Sequence, residues 1–221
     1  DHSIALDLAG TAKIRLPDSY KVISRYIIEE QGDWFEDEIR FVRKLLGPSQ
    51  RAIDVGANYG VYTLSMAALV GPSGSVHAFE PDPATTAMLK ESLDLNGFAQ
   101  VKLVERAVSD RVGRSHFKLT NNSELNRLID ASESGEADKV VDVTTLDHCR
   151  EAFGWAAPDF IKIDAEGQEP HVVRGAARLL SDASPLVMAE YKHGQDINHE
   201  IFEAFSDLGY QAYRLVPRFI V

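Results

Sequence analysis

The stretch RAIDVGANYGVYTLSMAALV, Arg51 to Val70, decides how this chain folds. A short apolar run carries Asp54 near its end. Gly56 and Gly60 follow, separated by Ala57, Asn58 and Tyr59, and an apolar helix-like pattern begins at once. A strand that turns into a helix through glycines is the first crossover of a parallel α/β sheet. The order of elements downstream agrees. SVHAFE reads as a second strand, and DPATTAMLKESLDLNG as a helix with Pro83 in its first turn and Gly97 as its C-cap. VKLVE is a third strand. A detour follows through RSHFKLT, a polar loop over 121–138 and KVVDVTTL. Alternation then resumes with DFIKID, helix PHVVRGAARLLS, PLVMAEY, helix NHEIFEAFSDLG and a last strand YQAYRLV. Apolar strands joined by helices make a doubly wound, mostly parallel sheet covered on both faces.

Ahead of Arg51 the pattern changes. Residues 1–50 hold two strand-like pieces, IALDL and KIRLP, and a helix, DWFEDEIRFVRKLLG, with Phe35, Ile39, Val42 and Leu46 on its apolar face. Asp33 is placed to cap that helix and Glu36 to close a capping box. The expected division is a small extension over 1–50 packed on a domain over 51–221.

In such a sheet the ligand lies beyond the strands' carboxyl ends, at the switch point. Gly56 and Gly60 would let the backbone approach it, and the N–H groups of the following helix favour an anionic group. Glu80, at the end of the second strand, is suited to accept from both hydroxyls of a ribose. A dinucleotide motif would carry a further glycine where Asn58 stands. The ligand is therefore read as a ribose compound with a smaller zwitterionic end, such as S-adenosylmethionine, with Asp54 near its ammonium.

Composition narrows the partners. Lysine and arginine number 23 against 34 acids, a net charge of −11 that repels phosphate backbones. No apolar run reaches membrane-spanning length and DHSIALDLAG does not read as a signal peptide, so a cytoplasmic protein is expected. Cys149 is the single cysteine, which excludes a disulfide framework and a multi-cysteine metal site; it falls at a core position. The histidines show no metal-binding spacing. Only His193, after the fifth strand, is placed to act as a base.

The motifs IDVGANYGVYTL, VHAFEPDP, VERAVSDRVG, VTTLDHC, FIKIDAEGQEPHVVRGAARLL and VMAEYKHG together resemble the FkbM family of S-adenosylmethionine-dependent methyltransferases. The resemblance implies a Rossmann-like class I methyltransferase sheet whose last strand is antiparallel, and methyl transfer to a hydroxyl of a small molecule or glycan. Carried over, Asp54, Gly56, Ala57, Asn58 and Gly60 line the methionine part and Glu80 binds the ribose. Pro81 and Asp82 border the adenine, with Ala107, Val108 and Ser109 opposite. Tyr59 sits near the sulfonium, and Glu36 reaches the cofactor from the N-terminal side if it is not spent on the capping box. Tyr62 is read as helix packing.

Asp164, Glu166, Lys162 and His193 are the catalytic candidates. Alternation puts Phe160, Lys162 and Asp164 on one strand face. A lysine in an apolar strand demands a partner, for which Glu190 or Glu80 is expected. Glu169 reads as a cap at a helix start. Asp164, Glu166 and Glu190 offer oxygen ligands to a hard cation such as magnesium, but a metal is not expected. Two other readings compete: a non-catalytic S-adenosylmethionine-binding module, and an NAD-dependent oxidoreductase or epimerase, which would want the denser glycine motif.

Overall fold

The computed structural model describes residues 3–120, 125–129, 135, 138–193 and 196–215, with only the backbone of 192, 193, 196 and 197. The chain opens with a hairpin, β1 (Ser3–Leu8) and β2 (Ala12–Pro17), then α1 (Ile23–Gln31) and α2 (Asp37–Leu45). The core follows as β3 (Arg51–Val55), α3 (Val61–Val70), β4 (Ser75–Phe79), α4 (Pro83–Asn96) and β5 (Val101–Val104). A detour holds β6 (Ala107–Val108), β7 (Gly113–Lys118), β8 (Arg127–Ile129) and β9 (Lys139–Thr144). The return comprises α5 (Leu146–Phe153), β10 (Phe160–Ile163), α6 (Glu169–Arg174), α7 (Ala177–Ala183) and β11 (Leu186–Ala189). The last described elements are β12 (Lys192–His193), β13 (Asp196–Ile197) and α8 (His199–Asp207).

The central sheet runs β11-β10-β3-β4-β5 with every described pairing parallel. The chain moves outward from β3 to β5, then crosses to β10 on β3's other side. The switch point therefore lies between β3 and β10, where Asp54 is in register with Lys162. Side-chain alternation sorts the two cores. Ala52, Ala78 and Phe160 face α2, α3, α4 and the hairpin. Ile53, Val55, Phe79, Ile161 and Ile163 face α5 to α8. Helix α3 is buried nearly all round, which explains its lack of a polar face. Asp82 caps α4, Pro83 opens it and Gly97 closes it in the left-handed region.

Four sequence expectations change. The N-terminal part has two helices rather than one: α1 is rich in β-branched isoleucine, which lowers its helix propensity, and it is half-exposed. Helix α2 starts at Asp37 with no side-chain cap, and Asp33 instead takes a bidentate pair from Arg43 at 2.6 and 2.8 Å. Phe35 consequently stands outside the helix. The segment PHVVRGAARLLS splits into α6 and α7 at Gly175, where a Cβ would meet the Ser109 carbonyl oxygen at 2.0 Å. Residues 210–215 of the expected last strand pair with no other strand among the described residues, and Tyr213 is exposed there.

Candidate active site

A cavity of about 800 Å³ opens at the carboxyl ends of β3, β4, β10 and β11. The detour sheet, β6-β9-β7-β8, closes one side with Ala107, Val108, Phe117 and Leu128. On the other side stand Ile23 of α1 and Trp34, Phe35, Glu36 and Glu38 around the start of α2.

The hinge after β3 is held from within. The amides of Gly56 and Ala57 donate to the Phe79 carbonyl at 3.1 and 2.9 Å, and that of Gly60 to the Ala57 carbonyl at 2.8 Å. The Asn58 amide donates to Glu80 Oε2 at 2.9 Å, and the Tyr59 amide to Asn58 Oδ1 at 2.8 Å. The N–H groups of residues 56–60 are thus spent on the fold. Asn58 sits at φ 49°, a left-handed conformation that asparagine tolerates, which explains why it stands in a glycine's usual place. The two glycines also have a reason beyond the approach of a ligand. At Gly56, φ is +78° and a Cβ would lie 1.8 Å from the Asp164 carbonyl oxygen. At Gly60, φ is +93° and a Cβ would lie 2.3 Å from Leu89 Cδ1. Both clear room for protein: one for the end of β10, the other for α4.

Glu80 is buried on the cavity wall, accepting from the Asn58 amide through one oxygen and from the Asp82 amide at 2.9 Å through the other. Burial pushes its carboxyl up to about 7, against the pull of those two amides. Each oxygen keeps a second lone pair, so the carboxylate fits a ribose diol. Pro81, Ala107 and Val108 line the wall beside it, a slot whose chemistry fits a purine. Gly56, Ala57, Asn58, Tyr59, Glu36, Lys162, Asp164 and Glu166 also line the cavity. Asp54, Gly60, Asp82 and Ser109 do not. Asp82 serves α4, accepting from the Thr85 hydroxyl at 3.1 Å, and pairs with Lys139 at 3.4 Å. The side chain of His193 lies outside the described residues.

At the switch point Asp54 is fully buried and accepts from the Thr63 hydroxyl at 2.6 Å. Lys162 reaches across to it at 3.8 Å and donates to Asp164 Oδ2 at 3.0 Å, with its ammonium 4.6 Å from the Tyr62 ring centre. The expected partners Glu190 and Glu80 are thus replaced by two aspartates, because register puts Asp54 directly beside Lys162. Burial alone would lower the lysine's pKa; Asp164 and Asp54 outweigh it and hold it above its ordinary value. Tyr62 donates to Glu36 Oε2 at 2.7 Å, so Glu36 belongs to a tether between α2 and α3 rather than to a capping box. Glu169 is buried, and one of its oxygens accepts from the amides of Ala165 and Gly167 at 2.8 and 3.2 Å. It therefore caps the turn that carries Glu166, whose φ of 48° is a strained conformation for a non-glycine residue.

Carboxylates crowd this end. Asp164, Glu169 and Glu190 bring oxygens within 4.8 Å of one another, a set that differs from the Asp164, Glu166 and Glu190 trio read as oxygen ligands. Burial, then Asp164, raises Glu166 to about 8 and Glu190 to about 7. Trp34, Glu38 and Arg106 line the cavity without having been singled out in the sequence, and Phe35, expected on a buried helix face, lines it too. The only available signal was the aromatic pair ahead of α2.

Residues 54–212 match the Methyltransferase FkbM domain. The chain belongs to the FkbM methyltransferase family. No curated protein matches it. Among solved structures it is similar to an FkbM methyltransferase from Methylobacillus flagellatus KT, with a TM-score of 0.52 and 19% identity over 72% of this chain and 36% of that one. The chain thus spans about a third of that protein's length. A putative O-methyltransferase from Klebsiella pneumoniae gives a TM-score of 0.49 and 16% identity over 86% of this chain and 80% of that one. The fold is that of class I S-adenosylmethionine-dependent methyltransferases, and the FkbM family is one of S-adenosylmethionine-binding methyltransferases. No described helix is long and apolar enough to cross a membrane.

Proposed function

We propose that this FkbM chain is an S-adenosylmethionine-dependent O-methyltransferase that modifies a hydroxyl of a small molecule or glycan. The observation that carries the reading is Asp164 on the cavity wall, bound to Lys162 and one strand away from the hinge. The bound cofactor would supply a methyl carbon on a sulfonium; Glu80 would hold its ribose, and Pro81, Ala107 and Val108 its adenine. Asp164 would orient the acceptor hydroxyl and take its proton as the oxygen gains positive character. A carboxylate spent on the sulfonium would instead favour the ground state, because that charge disappears during transfer. Residues 1–50 are proposed as an extension packed on a catalytic domain over 51–221.

A non-catalytic binding module would need the hinge and Glu80 but not a paired carboxylate at Asp164. Calorimetry with S-adenosylhomocysteine and with NAD tests the cofactor: binding of the first and not the second is expected, and the reverse would remove the reading. A coupled homocysteine assay over hydroxylated acceptors then tests turnover.

A further inference from the structure

The short turn that carries Trp34 and Phe35 is anchored at both ends. Ahead of it, Asp33 holds the Arg43 guanidinium through two bonds, 2.6 and 2.8 Å long. Burial would raise the Asp33 carboxyl, but the hydrogen bond from Arg43 outweighs it and keeps it below its ordinary value. Behind it, Glu36 accepts from Tyr62 at 2.7 Å, and the Tyr62 ring in turn lies against the Lys162 ammonium. Between these anchors the two rings meet with centroids 5.1 Å apart, tilted by 54°. Both line the cavity, yet Phe35 is 52% exposed. Ile23 of α1 lines the same wall and is 44% exposed. The Trp34 indole N–H is buried without an acceptor among the described residues.

Trp34 packs in part against the core, whereas Phe35 and Ile23 stand in water at the cavity mouth, and apolar patches of this kind mark binding surfaces. Sequence periodicity assigns Phe35 to the buried face of α2, so its exposure at the mouth is a departure that the fold does not require. The cavity lining holds six carboxylic acids, Asp164 among them, against Arg106, Arg127 and Lys162, a balance that disfavours an anion. Ile23, Trp34 and Phe35 all lie ahead of the stretch that matches the family, 54–212.

We propose that Ile23, Trp34 and Phe35 form the acceptor-selecting wall of this enzyme, and that the acceptor is a hydroxylated small molecule with an aromatic or alicyclic body and no negative charge. The ring packs on Phe35 and Ile23 while a hydroxyl reaches Asp164. This rests on the methyltransferase reading above.

The test is calorimetry on protein saturated with S-adenosylhomocysteine. Its probes are methyl, phenyl and cyclohexyl glycosides of glucose, galactose and xylose, with phenyl glucuronide as the anionic control. At least one ring-bearing glycoside should bind about tenfold or more tightly than its methyl partner, the scale expected for one partly buried ring face. The glucuronide should bind more weakly than phenyl glucoside. Phe35→Ser and Ile23→Ser, both at exposed positions, should each erode the ring preference while S-adenosylhomocysteine binds as in the unaltered chain. The proposal is overturned if no ring-bearing glycoside outbinds its methyl partner, if the preference survives in both variants, or if the glucuronide binds equally well. Loss of S-adenosylhomocysteine binding in Phe35→Ser would put the ring on the cofactor and also overturn it. Failure of the unaltered chain to bind S-adenosylhomocysteine would instead remove the underlying reading.

Discussion

The two ends of the cavity are built on different physics. Beside β3 and β4, polar groups are paired and quiet: the hinge amides go to the Phe79 and Ala57 carbonyls, and both oxygens of Glu80 accept backbone N–H groups. Beside β10 and β11, carboxylates crowd one lysine, and the Glu166 backbone is strained. The first end is a template formed by the fold itself. The second holds charge that an occupant or a proton must relieve. A site that must bind one invariant ligand suits the first design, and a site that must do chemistry suits the second.

The two ends meet at Gly56. Because a Cβ there would sit 1.8 Å from the Asp164 carbonyl oxygen, Gly56→Val should do more than block a ligand: it should drive β3 from β10. We expect a loss of about 4 kcal/mol or more of stability, the scale reserved for backbone strain and overpacking, or no folded protein at all. A variant with unchanged urea midpoint that has lost only cofactor binding would return Gly56 to the ligand-clearing role. Asp164→Asn separates the two ends. Cofactor affinity should stay within about threefold while methyl transfer falls at least ~100-fold, the low end for a lost general base. Retained turnover would make the paired aspartate a turn residue. Glu80→Ala should weaken S-adenosylhomocysteine by roughly 1.5–3 kcal/mol, the scale of hydrogen bonds to a charged group. It should also lower Tm, because Glu80 secures Asn58 and Asp82. Unchanged affinity in a folded variant would show that the ribose lies elsewhere.

The same contrast explains what the sequence discloses. The quiet end follows from local pattern: a strand, a left-handed hinge and a carboxylate at the next strand's end are spaced by chain geometry. Even there the reason for Gly56 was hidden, since β10 arrives a hundred residues later. At the crowded end, alternation puts Lys162 and Asp164 on one face, but it cannot give the register that pairs Lys162 with Asp54. Phe35 was misassigned for a related reason. Its spacing to Ile39 and Val42 fits a helix, but pairs distant in sequence, Asp33 with Arg43 and Glu36 with Tyr62, hold the turn on either side of it.

The smallest effect expected is a pH dependence that distinguishes the ends. Glu80 is raised to about 7, first by burial, from an ordinary value of 4.5. A carboxyl raised on folding binds its proton more tightly in the native state. Its contribution to stability is therefore present at low pH and is lost as pH rises from the unfolded value through the folded one. Glu166, at about 8, and Glu190, at about 7, act with the same sign. The Tm of the free protein should therefore fall between pH 5 and 8. Cofactor binding should move the other way. Ribose hydroxyls donate best to an ionised Glu80, so below pH 7 binding must first expel a proton. Affinity for S-adenosylhomocysteine should rise between pH 6 and pH 8 by up to about tenfold, the limit for one group titrating midway. Glu80→Gln should flatten the binding profile. Glu166→Gln should flatten part of the stability profile and leave the binding profile intact, because it stands at the acceptor end. Calorimetry and thermal melts at matched pH give both curves. A binding profile that flattens with Glu166→Gln and not with Glu80→Gln would mean that the crowded end, and not the template, holds the cofactor.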